Sequence, residues 1–251
     1  MKRILLGVVG VSALLIAAPL STALAADMPA PAPVYNKAMA PVPMFSWTGF
    51  YVGGNAGLST GDFSQEWDDF GVPYAWDHAR SGGFSGGGQV GFNYQFPTSN
   101  FVVGFETDFQ GSTLKGTYAD YGSDTLQFGS QVDWWGTARA RFGYAFANIL
   151  PYATGGFAYG HVTNSYYASA TEQPPGYSET WSSMRTGWTA GGGVEYALTH
   201  NLTLKLEYLY TDLGSWHSQD PQDAILYPGE YYTYVRTTFN TVRGGLNWKF
   251  N

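Results

Sequence analysis

The sequence predicts an all-β fold: an eight-stranded antiparallel transmembrane β-barrel with short periplasmic turns and four long external loops. Three observations carry this expectation. The chain opens on an export signal, later segments alternate apolar and polar residues with a period of two, and the connections between those segments alternate in length. The pattern is plainest near the end, where 240–250 reads NTVRGGLNWKF. Val242, Gly244, Leu246, Trp248 and Phe250 fall on one face, and Thr241, Arg243, Gly245, Asn247 and Lys249 on the other. In an exported chain, this suits a barrel with its apolar face toward lipid and its polar face toward the lumen.

Residues 1–25 read as a secretory signal peptide. Lys2 and Arg3 give a positive start, Ile4 to Leu20 form an uncharged apolar stretch, and Ala23-Leu24-Ala25 supplies a cleavage site. Beyond it, no apolar run approaches the roughly 20 residues of a spanning helix, so a helical membrane protein is excluded. Residues 26–44 carry Pro29, Pro31, Pro33, Pro41 and Pro43 with alanines between, which predicts an extended periplasmic tether. The barrel domain is expected over 45–251.

The first strand is expected at 47–59, with Phe50, Val52, Gly54, Ala56 and Leu58 outward. The second, 83–96, turns Val90, Phe92, Tyr94 and Phe96 out and Gln89, Asn93 and Gln95 in; Pro97-Thr98-Ser99-Asn100 is a tight turn. The third, 101–112, turns Phe101, Val103, Phe105 and Phe109 out and Glu106, Asp108 and Gln110 in. The fourth, 130–146, places Trp134, Ala138, Ala140, Phe142, Tyr144 and Phe146 outside and Asp133, Arg139 and Arg141 inside. The fifth, 149–161, has no readable faces because Pro151 and Gly155-Gly156 blur its alternation. The sixth, 185–198, sets Trp188, Ala190, Val194 and Tyr196 against Thr189 and Glu195. The seventh, 202–212, sets Leu202, Leu204, Leu206, Tyr208 and Tyr210 against Thr203, Lys205, Glu207 and Thr211.

On this reading, connections after the even strands are short and those after the odd strands long, as in outer-membrane barrels. An even strand count puts both ends of the domain on the periplasmic side. An open sheet in lipid would leave backbone donors unpaired, so the last strand must close on the first. Composition agrees: charged residues are 12% of the chain and aromatic residues 18%, against about 25% charged in a soluble domain. An aromatic-rich secreted sandwich is the soluble competitor. Removing Lys2 and Arg3 takes the formal net charge from −7 to about −9, which argues against nucleic acid as a partner. The absence of cysteine removes thiol catalysis and cysteine metal sites.

The inward residues include the acids Glu106, Asp108, Glu195 and Glu207 and the bases Arg139, Arg141, Lys205 and Arg243. An eight-stranded barrel has an interior just wide enough for side chains to fill. These charges are therefore expected to pair as a salt-bridged plug, the alternative being a charged conduit.

Five segments resemble the small outer-membrane β-barrel proteins of alphaproteobacteria, the porin family: ADMPAPAP at 26–33, FSWTGFYVGGNAG at 45–57, WWGTARARFGYAF at 134–146, LPYATGGFAYG at 150–160 and NTVRGGLNWKF at the end. The resemblance implies an eight-stranded, surface-exposed barrel in the cell outer membrane. It also implies outer-membrane lipid, lipopolysaccharide, periplasmic chaperones and the barrel-assembly machinery as partners. Leu246, Trp248 and Phe250 match the assembly signal; Asn251 departs from it by following the terminal aromatic residue.

Other chemistries find less in the sequence. No Gly-x-Ser-x-Gly elbow appears, and no histidine is placed beside a nucleophile, so no enzyme is expected. Some relatives are described as haem binders. His78, His161 and His217 are candidate loop ligands, with Trp67, Trp76, Tyr166, Tyr167, Trp181, Trp216, Tyr231 and Tyr232 near them. Self-packing of those aromatics is the competing explanation, and no cofactor is expected. Asp62, Glu66, Asp68 and Asp69 lack a calcium-loop pattern, so no metal site is expected. Gly82-Gly83 and Gly86-Gly87-Gly88 have no Lys-Ser/Thr after them and read as glycines permitting barrel curvature. The function expected is structural: envelope integrity and surface presentation. A narrow passive porin, or a surface receptor for haem or a host molecule, are the alternatives.

Overall fold

A computed structural model describes residues 45–250 apart from 70–71, 121–122, 169–177 and 219–230. The expected signal peptide and tether lie outside the described residues. Eight strands follow in order: β1 (Gly49–Asp69), β2 (Val72–Gln95), β3 (Phe101–Asp120), β4 (Ser123–Tyr144), β5 (Ile149–Ala168), β6 (Ser178–Ala197), β7 (Leu202–Ser218) and β8 (Tyr231–Lys249). Each pairs antiparallel with its neighbours in the chain, and β1 also pairs with β8, from Tyr51↔Lys249 to Asp69↔Tyr231, so the sheet closes into a barrel.

At one end, the connections are tight. Phe146 and Ile149 exchange backbone bonds of 2.8 and 2.9 Å around Ala147, whose φ is 51°. Phe96 N–H donates to Phe101 O at 3.0 Å, and Leu198 N–H to Leu202 O at 2.9 Å. We call this the turn end.

At the far end, the structure corrects the sequence reading. The segments expected to be long loops are mostly strand. β1 continues to Asp69 through the acidic cluster, β2 begins at Val72, and only residues 70–71 separate them. Residues 121–122 separate β3 from β4. The strands are 17 to 24 residues long, about twice the 9–11 residues that cross a bilayer. About half of each strand therefore stands beyond the hydrocarbon layer.

The side chains divide the barrel at that boundary. Toward the turn end, large apolar residues face out: Phe50, Leu58, Val90, Phe105, Phe142, Leu206, Val242 and Trp248 are all exposed, and polar residues face in. Higher up, the pattern inverts. Phe63, Leu114, Val132, Trp135, Ala158, Val162, Leu209, Leu213 and Phe239 fill the interior as one apolar cluster. Thr60, Arg80, Lys115, Gln131, Ser165, Thr186 and Asn240 face out.

Three register irregularities fall near this seam: Gly111/Leu114 against β4, Val132/Trp134 against β5 and Asp212/Ser215 against β8. The second corrects a face assignment. It shifts the phase of β4, so Val132 points inward and Asp133, expected inside, faces out. Gly214, at φ 75°, sits in the third, a conformation that favours glycine. A second apolar cluster, Trp47, Val102, Ala145, Leu150 and Ala197, occupies the turn end.

Strand β5 now has faces. Leu150, Tyr152, Thr154, Ala158, Val162 and Asn164 are inward, and Phe157 outward.

Candidate functional site

The lumen between the two apolar clusters holds the densest chemistry among the described residues. Alternation along β3, β4, β6, β7 and β8 aims Glu106, Asp108, Arg139, Arg141, Glu195, Lys205, Glu207 and Arg243 inward, and all eight are at most 4% exposed. The structure joins them in one network. Arg139 Nη2 donates to Glu106 Oε1 at 2.5 Å and Asp108 Oδ2 at 2.9 Å, and its Nη1 to Glu207 Oε1 at 3.0 Å. Arg141 Nη2 donates to Glu195 Oε2 at 2.7 Å, and its Nη1 lies 3.3 Å from Glu106 Oε2. Lys205 Nζ donates to both Glu106 oxygens at 2.9 and 3.0 Å. Arg243 donates through Nη2 to Asp108 Oδ2 and through Nε to Glu207 Oε2, both at 2.7 Å.

The register explains part of this. Glu106 pairs with Arg139, Glu207 with Arg243, and Glu195 with Lys205 as cross-strand neighbours. Opposite charges across a ladder attract. The bonds from Arg139 to Glu207, Arg141 to Glu195 and Arg243 to Asp108 span strands that are not neighbours, and so run across the lumen. Four carboxylates meet four cations, so the formal charge of the layer is zero. In a low-dielectric interior, that balance and the shared hydrogen bonds are what make burial of the charges tolerable.

Two tyrosines that the sequence reading passed over belong to the same layer. Tyr51 Oη donates to Glu106 Oε2 at 2.8 Å and accepts from Arg141 Nη1. Tyr152 Oη donates to Glu207 Oε1 at 2.9 Å, and the Arg141 guanidinium lies 4.0 Å from its ring centroid. Both need room that glycine supplies: a Cβ on Gly91 would sit 2.4 Å from the Tyr51 hydroxyl, and one on Gly193 2.7 Å from that of Tyr152. Tyr51 is in phase with the buried Asn55 four positions on, and each tyrosine stands opposite a glycine, Gly91 for Tyr51 and Gly193 for Tyr152, which was the available signal. The sequence reading assigns aromatic residues to the lipid face and to the expected loops, not to the lumen.

Below the charges lies an uncharged polar tier. Gln89 Nε2 donates to Asn247 Oδ1 at 2.7 Å, Asn247 Nδ2 to Glu195 Oε1 at 2.8 Å, and Asn55 bonds to Gln89. Above the charges, Trp135 and Phe239 pack edge to face at 5.2 Å and begin the upper apolar cluster.

The other candidate residues stand apart from this layer. His161, read as a loop residue, is on β5, facing out. Its Nδ1 is 2.9 Å from Asp133 Oδ2, and its ring stacks on Trp134. Thr163 Oγ1 and Gln131 Nε2 also donate to the Asp133 carboxylate, at 2.6 and 2.7 Å. His78 and His217 fall in β2 and β7 rather than in loops, and their side chains lie outside the described ones. No group of three or more His, Asp or Glu among the described residues is placed to hold a metal ion. Leu246, Trp248 and Phe250 line the outer face at about half exposure, and Phe250 N–H closes the barrel by donating to Phe50 O at 2.8 Å.

The matching family model and the sequence relatives agree with this architecture. The family model described as outer membrane protein beta-barrel domain matches residues 16–250. The 31 kDa outer-membrane immunogenic protein of Brucella melitensis is 41% identical over 244 residues, covering 92% of this chain and 94% of its own. The 22 kDa outer membrane protein of Rhizobium leguminosarum is 33% identical, covering 70% of this chain and 69% of its own. The crystal structure of OprG from Pseudomonas aeruginosa is 15% identical, covers 81% of this chain and 97% of its own, and gives a TM-score of 0.48. The closed strand order, the apolar belt and these sequence relatives together make this chain an outer-membrane protein, a member of the outer membrane protein beta-barrel domain family.

Proposed function

We propose that this protein is a structural, non-enzymatic component of the outer membrane whose lumen is closed, with its turn end toward the periplasm and its upper half presented outside. The observation that carries the reading is the neutral eight-residue network lying between two apolar clusters. A permeating ion would have to displace a buried cation from its carboxylates, and then pass an interior largely filled by apolar side chains, among them Phe63, Leu209 and Phe239, which offer nothing to replace its water. The relatives are outer-membrane barrel proteins, which supports the non-enzymatic reading.

Planar-bilayer recording of the refolded chain tests this. The wild type is expected to give no steady conductance. Arg141→Ala, which leaves Glu195 and Tyr51 without their shared cation, is expected to show intermittent leaks and a lower unfolding midpoint in denaturant. Steady conductance in the wild type, with Arg141→Ala as stable as its parent, would replace this reading with a passive porin.

A further inference from the structure

Residues 45–48 precede the first strand and belong to no ladder, yet they are well anchored. Trp47 is 1% exposed and packs with Val102, Ala145, Leu150 and Ala197 inside the turn-end mouth. Phe45 lies against Trp47, ring centroids 4.7 Å apart and edge to face. Three polar contacts hold the segment: Trp47 N–H donates to Gln95 Oε1 at 3.1 Å, Gln95 N–H to Thr48 Oγ1 at 2.9 Å, and Lys249 Nζ to Ser46 O. The Lys249 ammonium also sits 4.5 Å from the Phe45 ring centroid. The chain turns from the barrel wall into this position at Gly49, whose φ is 141°; a Cβ there would stand 2.8 Å from Phe250 O.

The arrangement places an apolar layer over a polar chamber. Directly inside it are Gln95, Asn93, Gln89 and Asn247, followed by the charge network. A polar chamber without a cover would be hydrated from the mouth, and the largest side chain of that cover, Trp47, lies outside the sheet with Phe45 against it. It can leave by rotation about Gly49 without breaking one strand-to-strand bond.

We propose that residues 45–48 form a detachable stopper, hinged at Gly49 and clasped by Lys249, that shuts the lumen from the turn end independently of the charge layer. Its withdrawal wets the lower chamber up to the charges and no further. Any pull on the chain preceding Phe45 acts on this stopper first.

The chain has no cysteine, so Ala145→Cys, at a position 3% exposed beneath Trp47, gives a single reporter thiol. The full chain refolded in detergent would be treated with a water-soluble maleimide, and Thr98→Cys on the open turn would set the unhindered rate. With the stopper intact, the Ala145→Cys thiol is expected to react at least about tenfold more slowly than the Thr98→Cys thiol, because thiol reactivity follows access. Adding Trp47→Ala should abolish most of that protection, and Trp47→Phe should keep it.

Fast labelling with the stopper intact, or equally slow labelling after Trp47→Ala in a barrel that retains its heat-modifiable band, overturns the proposal. Should Trp47→Ala not fold, Gly49→Ala, which disturbs the hinge and leaves every packing side chain in place, decides in the same assay. Bilayer recording separates this inference from the preceding one. Trp47→Ala is expected to stay electrically silent, and conductance in it would count against the charge layer, not against the stopper.

Discussion

The lower and upper halves of this barrel are built from the same eight strands, yet obey opposite rules. In the lower half, Glu207 and Lys205 point in while Leu206 points out; two residues further on, Leu209 points in and is fully buried. The backbone does not change between them. What changes is the solvent outside: lipid rewards an apolar outer wall and leaves polar groups to pair within, whereas water restores the ordinary order of apolar inside and polar outside. The lower half is held by ion pairs and hydrogen bonds across a lumen, and the upper half by an apolar core. The seam, marked by the irregularities near Leu114, Trp134 and Asp212, is where one solvent gives way to the other.

The strongest way to break the comparison is to remove a cation from the lower half. Arg139 contacts Glu106, Asp108 and Glu207. Arg139→Ala leaves these carboxylates to Lys205, Arg141 and Arg243 alone, and is expected to cost about 3–5 kcal/mol, the usual cost of a broken buried pair. Urea titration in lipid vesicles measures it. A loss under about 1 kcal/mol would mean that the lower half is held by its ladder and not by its charges.

An apolar deletion in the upper half comes next. Leu209→Ala is expected to lose about 2–5 kcal/mol as a core cavity. Leu206→Ala, three residues away and 62% exposed to lipid, should lose less, because lipid fills the space that the side chain leaves. Equal losses for the two would contradict the inversion.

A charge placed on the outer wall sharpens the boundary itself. Leu206→Arg faces hydrocarbon and should cost about 2–4 kcal/mol. Thr186→Arg, exposed on the outer wall of the upper half, should stay within about 0.5 kcal/mol of wild type. If Thr186→Arg proved as costly as Leu206→Arg, the membrane boundary would have to be moved upward past β6 residue 186.

Much of the lower half was legible in the sequence because lipid makes its signal strong. Every second residue of 202–208 is apolar, and the residues between are Thr203, Lys205 and Glu207, so both the faces and the ionic layer could be read directly. In the upper half the sequence pattern predicts loop where the described residues are strand. Its described outer residues, such as Thr60, Lys115, Gln131, Ser165 and Asn240, are polar types common in loops, and Phe63 is the one apolar residue of 60–64, which gives period two little to stand on. Between β1 and β2 and between β3 and β4 the expected long loop is thus strand with two residues between, so there the length alternation belongs to the apolar belt rather than to the connections.

The sequence by itself determined the strand count, the short turns, most lipid-facing residues and the inward phase of the eight network charges, since each follows from alternation along one strand. Only the tertiary structure decided which charges meet across the lumen, that Tyr51 and Tyr152 join them, that Asp133 faces out and that Trp47 turns back into the mouth. Those depend on register between strands, on one bulge in β4 and on the space left by glycines of neighbouring strands, and a single strand's sequence carries no record of what lies opposite it.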